Sequence, residues 1–538
     1  MASKSRHHRS RGSRKRKHSK KGGRKDKYSY DSSSSRRRVK KTRSKRRTGS
    51  RKPVQKGGKA SAKFVEIAHS TSGSSVKFPI TKPVDENLTK VDSTEFDPNY
   101  MPPISSDIIA NAYERVGPAQ GPDTNAKFYQ FFIQGNNKWI DLANLHLDLS
   151  YSCVGADGNA IQEQAIDEDG KKFRKTIFEN NLIHSLWMDA EVHVNGVKIK
   201  HPIYHYGIFA YVMQIMRTKR NEWGIKWTNC HLEKDDNPET VLPKTDEAMS
   251  LYPGKKERIL VTSAPSTRIH RLSDVLFHPV LMQPKQLSPG DEITITLHKA
   301  EDKFISVGLG DALQTKINNI KMVVKRYELK PEVQARILKY PVIKYPVTMY
   351  QEIPFSIPAG QLCFERNTLI HQGQSPSHII CVFIDTDAYL GDKEHSMLNF
   401  QHMNMDYIYL EQNNTEIPSG GYKGLHLGKD DCRYGYARRP WEDYCRAVQQ
   451  LSPDNDEIMP YNTWIKGGQT IFIFDMTAES KMKGLDSGEF SETNTAPIGI
   501  KMKFNVATAK TMTMLLFCGY DKTIKLDHIK KKVNYDWL

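Results

Sequence analysis

The sequence predicts an all-β protein of two β-sandwiches standing side by side, behind a basic N-terminal arm. Three observations lead there. From Phe128 onward, short strand-like runs separated by turn residues recur to the end of the chain, the pattern of a sandwich or barrel. That pattern occurs twice, each time with one helical stretch interposed, in halves of about 205 residues that share an order of elements but no sequence repeat. Third, the stretch Ile177 to Met216 reads as scaffold. Glu191-Val192-His193-Val194 alternates as a half-buried strand does, Asn195-Gly196 supplies a hairpin turn with two positive φ angles, and Val197-Lys198-Ile199 resumes the alternation. Tyr204 to Met216 then changes period, with Ile208, Tyr211, Val212 and Ile215 on one helical face.

The chain begins with a different material. Residues 1–63 hold 27 Lys/Arg and two acids (Asp26, Asp31), a charge of +25, so the remainder carries −6 of the total +19. Ser, Gly, Arg, Lys and His dominate, and such a composition cannot bury enough apolar surface to offset the entropy of ordering. The arm is expected to be disordered. It has neither the apolar core of a signal peptide nor the amphipathic pattern of a transit peptide. Its basic clusters are Arg14-Lys15-Arg16-Lys17, Lys20-Lys21, Arg36-Arg37-Arg38, Lys40-Lys41, Arg43 and Lys45-Arg46-Arg47. They suit two compatible roles: neutralising nucleic-acid phosphates with release of counterions, and nuclear import. A solvated tail with neither role is the plainer reading.

Phe64 to about Asn125 reads as an extended connector rich in Ser, Thr, Pro and Asp, broken by Met101-Pro102-Pro103 and Gly117-Pro118. The first half (126–330) then opens with strands at Phe128 to Gln134 and Trp139 to Tyr151. An exposed loop is expected at Ala156 to Lys175, and an inserted polar loop at Asn221 to Gly254. Strands follow at Arg258 to Thr262, Arg268 to Val275, Glu292 to His298 and Asn319 to Leu329, with Ser288-Pro289-Gly290-Asp291 as the turn before the third. Pro331 to Lys339 is a short helix with Pro in its first turn. The second half (331–538) continues with strands at Val347 to Ile357, His378 to Asp385, Tyr407 to Gln412, Gln469 to Met476, Ile498 to Val506 and Thr511 to Tyr520. A helix at Trp441 to Leu451 lies among them.

Motifs for chemistry are sparse. His201 and His205 have the i, i+4 spacing of helical zinc ligands, but Pro202 intervenes and no third ligand is evident. Asp385-Thr386-Asp387 ends an apolar strand, where acids form turns more often than they bind cations. Gly308-Leu309-Gly310 lacks the setting of a phosphate loop, and no nucleophile elbow occurs. The seven cysteines (Cys153, Cys230, Cys363, Cys381, Cys432, Cys445, Cys518) show no C-x-x-C pair, as in an intracellular chain with free thiols, and Cys381 and Cys518 sit inside apolar strands as small hydrophobes. Phe128-Tyr129-Gln130-Phe131-Phe132 reads as sandwich core, and Trp223/Trp227 as a subunit contact. No metal, cofactor or catalytic residue is expected. No run of about 18 apolar residues occurs, so no membrane-spanning helix is expected.

From Phe128 to Asp527 the chain resembles the double-jelly-roll major capsid proteins of Polinton/Maverick elements and adintoviruses, in the adenovirus hexon lineage. The likeness is carried by Trp139-Ile140-Asp141-Leu142 with Asp157-Gly158, by Asn181-Leu182-Ile183-His184-Ser185-Leu186-Trp187 leading to Val192-His193-Val194-Asn195-Gly196, and by Tyr204/Tyr206. Leu287-Ser288-Pro289-Gly290-Asp291-Glu292-Ile293 and Lys344-Tyr345-Pro346-Val347 follow. Phe383-Ile384-Asp385-Thr386-Asp387-Ala388-Tyr389, Asn399-Phe400-Gln401-His402-Met403-Asn404-Met405 and Ile473-Phe474-Asp475-Met476-Thr477 complete it.

The resemblance implies two eight-stranded jelly rolls per chain with short inserted helices, and three chains in a pseudo-hexagonal capsomer. It further implies an icosahedral shell completed by other capsid proteins such as a penton. The virion, and the host nucleus during assembly, are the implied locations, with the arm facing packaged DNA. It brings no catalytic residue. A minor or vertex capsid protein and a captured host nucleic-acid-binding protein are the alternatives, and a jelly-roll enzyme the weakest.

Overall fold

The computed structural model describes residues 107–121, 126–155, 176–218, 222–233, 253–262, 268–308, 313–370, 374–428, 435–451, 459–477 and 495–535, with a few isolated residues elsewhere. The first sandwich consists of β1 (Ile108–Val116), β2 (Phe128–Gln134), β3 (Trp139–Val154), β4 (Trp187–Val194), β5 (Val197–Ile199), β6 (His270–Val275), β7 (Glu292–Lys299) and β8 (Gln314–Leu329). One sheet has the order β6-β3-β8-β1 and the other β5-β4-β7-β2. The second sandwich takes β9 (Val342–Ile357), β10 (Cys363–Ile370), β11 (His378–Asp385), β12 (Met405–Gln412), β13 (Thr415–Lys423), β14 (Phe472–Asp475), β15 (Ile498–Phe504) and β16 (Met512–Asp527). Its sheets run β9-β16-β11-β14 and β10-β15-β12-β13, and β17 (Lys532–Tyr535) is added beside β16.

Counted from its own first strand, each half has one sheet in the order 1-8-3-6 and one in the order 2-7-4-5. Two facing four-stranded antiparallel sheets in that order make a jelly roll. The protein is a double jelly roll.

Alternation builds the first core. Leu145, Leu147 and Leu149 on β3 face Ile293, Ile295 and Leu297 on β7, and all six are fully buried. At the β4–β5 hairpin Asn195 and Gly196 have φ of 48° and 77°, the conformation the Asn-Gly pair predicts. The second core differs, because β11 is buried at every position and β16 from Met512 to Tyr520. Strands buried on both faces read as continuous apolar runs, such as HIICVFID. The first half reaches this layer through helix α1 (Tyr206–Arg217), whose Phe209 ring packs against Phe517 of β16.

Several expectations are corrected. The connector does not stay outside the fold: Ile108–Val116 is the first strand of the first jelly roll, paired with Met322–Leu329 and held by the Arg326–Glu114 ion pair. It is exposed along nearly its whole length, so it carries no alternation to read. Arg258 to Thr262 is not a strand but the end of helix α2 (Pro253–Thr262). Its buried residues Lys255, Arg258, Ile259 and Thr262 lie at i, i+3, i+4 and i+7. Short apolar runs do not separate helix from strand, and Pro253 opening the helix was the missed cue. The segment Trp223–Cys230, inside the expected polar loop, is helical, while the side chains of Trp223 and Trp227 lie outside the described residues. Phe128-Tyr129-Gln130-Phe131-Phe132 is only half core: Tyr129 and Phe131 point in, Phe128 and Phe132 out. Finally, α1 buries every residue from Tyr206 to Met216 rather than one face.

Candidate functional site

The two jelly rolls share one continuous hydrophobic core, and both apolar and polar side chains join them. Helix α1 supplies the apolar part. The Phe209 ring lies 5.1 Å from Tyr350 and 5.6 Å from Phe517, both in the second jelly roll. The Tyr211 ring lies tilted against Phe400 at 5.8 Å and its hydroxyl accepts from Gln469 Nε2 at 3.1 Å.

Glu352 supplies the polar part. It sits on β9 with 2 % exposure. Its Oε2 accepts from the backbone N–H groups of Tyr204 (2.7 Å) and His205 (3.1 Å), and its Oε1 from the Tyr389 hydroxyl (3.1 Å). The Glu352 N–H donates to Pro202 O at 2.9 Å. The loop that enters α1 is thus fixed to the second jelly roll by one carboxylate that accepts three hydrogen bonds. Burial, and then the Glu352 charge, push the Tyr389 hydroxyl up.

A second fastening lies at the SPGD turn. Asp291 accepts from Ser288 Oγ, from Asn195 Nδ2 at 2.9 Å and from Lys531 Nζ at 3.0 Å, so the hairpin of the first half meets the C-terminal strand pair of the second. Nearby, Tyr345 donates to Gln286 O at 3.1 Å and Tyr535 to Lys198 O at 2.9 Å. The motifs that carry the capsid resemblance (Tyr204/Tyr206, SPGD, KYPV, FIDTDAY and NFQHMNM) contribute Tyr206, Asp291, Tyr345, Tyr389 and Phe400 to this junction or its immediate support.

One buried cluster has the composition of a hydrolase site. Asp274 accepts from His184 Nε2 (3.3 Å), Cys230 Sγ (2.8 Å) and Lys226 Nζ (2.7 Å), and His184 Nδ1 meets Tyr206 OH at 3.2 Å. The wiring is wrong for a nucleophile, because the thiol faces the carboxylate rather than the imidazole. Burial and the adjacent Asp274 push the Cys230 thiol well up. Burial alone would raise Asp274 too, but the His184 hydrogen bond and the Lys226 charge hold it low. The cluster fastens helix Trp223–Cys230 to β6 and the 181–187 turn.

The other sequence candidates fall as follows. Arg14 to Arg47 lie outside the described residues. His201 faces His278, with ring centroids 4.9 Å apart, while His205 lies against Tyr389 at 4.3 Å, and neither joins a metal-ligating trio among the described residues. Asp385 caps the turn Thr386–Tyr389 by accepting from Asp387 N at 3.1 Å, a turn former. Cys381 is buried, and burial pushes its thiol well up. Asp189, Glu191 and His298 form a trio that the sequence reading missed. Its only signal is strand register, which pairs Asp189 with His298.

A chain in the structure of the Sputnik virophage aligns with a TM-score of 0.51 at 11 % identity, covering 86 % of this chain and 94 % of that one. The fold is shared. The mavirus major capsid protein aligns at 0.46 and 10 % identity, over 85 % and 94 % of the two chains. In sequence, an uncharacterised protein of Caenorhabditis elegans is 17 % identical over 440 residues, 79 % of this chain and 95 % of that protein. No family model matches the sequence.

Proposed function

We propose that this chain is a structural capsid subunit, the major one of its particle, that trimerises into pseudo-hexagonal capsomers and closes an icosahedral shell with other capsid proteins. The observation that carries it is the double jelly roll itself: two rolls of identical strand order joined into one body by α1, Glu352 and Asp291. One rigid chain then presents two similar walls, and three copies related by rotation present six around a ring, a closed heterologous assembly.

Charge supports the placement of the arm. Ile108 pairs with Leu329, and the chain passes from Leu329 through helix Pro331–Leu338 to Val342, which pairs with Asp527. Ile108 therefore lies at the end where the two rolls are linked in sequence. On the proposed inner side, the arm's +25 meets duplex DNA, which carries a phosphate charge per about 1.7 Å of axis. Arg14 to Lys17 and Lys45 to Arg47 would also serve nuclear import. The virion and, during assembly, the host nucleus are the corresponding locations.

A second reading, a captured host protein that binds nucleic acid, is favoured by the nematode relative, a chain of an animal. Negative-stain electron microscopy of the purified protein across protein and salt concentration, with and without DNA, separates the two. Trimeric pseudo-hexagonal particles or closed shells are expected. Monomers or small irregular oligomers under every condition would reject assembly and leave the captured-gene reading.

A further inference from the structure

On the outward face of the β5-β4-β7-β2 sheet, three ligand-bearing side chains converge. Asp189 on β4 is paired directly with His298 on β7, and Glu191 lies two residues along β4, on the same face. One ligand atom from each lies within 4.8 Å of the other two. All three side chains are half-buried.

Two further observations point to a cation as the ligand. His298 Nε2 is sheltered from solvent yet makes no hydrogen bond, with the nearest Glu191 oxygen 3.8 Å away. Among the described residues no ion pair reaches Asp189, although the two ion-pair contacts of this face both end on its neighbour Glu191. Among the described residues the formal cation paired at the site is Lys198, whose Nζ lies 2.5 Å from Glu191 Oε1 and makes no ion pair with Asp189. An imidazole nitrogen that makes no hydrogen bond and two crowded carboxylates, one of them paired with Lys198, form a donor set short of one positive charge.

We propose that Asp189, Glu191 and His298 bind a divalent transition-metal ion of the zinc class on this face. Mixed nitrogen and oxygen donors suit zinc and its neighbours, whereas magnesium and calcium favour oxygen alone. Three protein ligands leave a coordination position for water or for a donor from an adjoining molecule. The exposed rings of Phe128 and Phe132 share the sheet face, Phe128 within 6.1 Å of the His298 ring. Binding draws Glu191 away from Lys198, so this lysine is a built-in competitor.

Isothermal titration of the full-length chain with zinc chloride, and in parallel with magnesium chloride, tests the site. His7, His8 and His18 in the arm can also take zinc, so the reading is the difference between wild type and variants. His298→Ala is expected to remove one zinc equivalent or weaken it about ten-fold or more. Lys198→Ala is expected to tighten the same site, an effect that adventitious binding elsewhere would not show. Magnesium is expected to produce no such difference. Identical zinc isotherms for wild type, H298A and K198A would overturn the proposal. If H298A does not fold, Asp189→Asn, which keeps the side chain's shape, gives the same comparison, and an unchanged isotherm there overturns it equally.

Discussion

A single carboxylate fixes the loop that leads into α1. Glu352 accepts three hydrogen bonds in a site closed to water, two from backbone N–H groups of the other jelly roll and one from Tyr389. Removing a buried charged acceptor leaves its donors unsatisfied at about 1–3 kcal/mol each. Glu352→Ala is therefore expected to lower unfolding free energy by about 3 kcal/mol or more. Glu352→Gln, which keeps an oxygen for the two backbone donors while Tyr389 can rotate its hydroxyl, should lose markedly less. Urea denaturation followed by tryptophan fluorescence measures both. A loss below about 1 kcal/mol for the alanine variant, the worth of an ordinary hydrogen bond, would show that the junction does not depend on this residue. Cys230 makes the complementary point. Its thiol has the neighbours of a nucleophile by composition, yet its position against Asp274 makes it a fastener.

At the scale of elements, the segment from Ile199 to Arg217 is the piece on which both rolls depend, and it contains a proton-sensitive contact. His201 packs against Phe209 at 5.1 Å and His278 at 4.9 Å, and the Nε2 atoms of both histidines lack hydrogen-bond partners. Burial pushes His201 down to about 3, and burial together with the His201 charge pushes His278 well below its usual value. The folded state thus refuses protons that the unfolded chain accepts below about pH 6.5. Stability present above that pH is lost as pH falls toward 3, by about 1.4 kcal/mol per pH unit for each such histidine. Denaturation midpoints taken at pH 7, 6, 5 and 4.5 should fall accordingly, and His201→Gln should flatten the decline by about one proton. A decline of unchanged slope in that variant would remove His201 from the account. The same scale explains what could be read from sequence. Leu145-His146-Leu147-Asp148-Leu149 and the Asn195-Gly196 turn announce themselves because one face of the strand is buried and the turn needs its φ angles. Three of the missed strands, Ile108–Val116, Cys363–Ile370 and Thr415–Lys423, are sheet edges with mostly exposed side chains, so burial left little pattern in them. The helix Tyr206–Arg217 was legible as a helix, but its all-round burial comes from the second jelly roll some 140 residues later, and the metal trio from a strand register that spacing does not encode.

For the whole molecule the decisive contrast is electrical. The chain beyond Lys63 carries −6, and the 63 residues before it carry +25. The first strand of the first jelly roll, Ile108–Val116, is separated from the end of the arm by 44 residues, and the continuous core includes both jelly rolls. Folding should therefore not require the arm, whereas attraction to nucleic acid should come from it almost wholly. Each phosphate neutralised contributes a slope of about −0.9 to the dependence of log affinity on log salt. Full-length protein is expected to bind duplex DNA steeply and salt-sensitively, without sequence preference. Deleting Met1 to Lys63 should leave the melting temperature and oligomeric state unchanged and abolish that binding, since a body of net negative charge repels the duplex. Thermal melting, sizing and a salt titration of DNA retention on the two proteins test this together. A truncated protein that binds DNA as tightly as the intact chain would place the nucleic-acid surface on the jelly rolls. One that no longer folds would make the arm part of the structure it precedes.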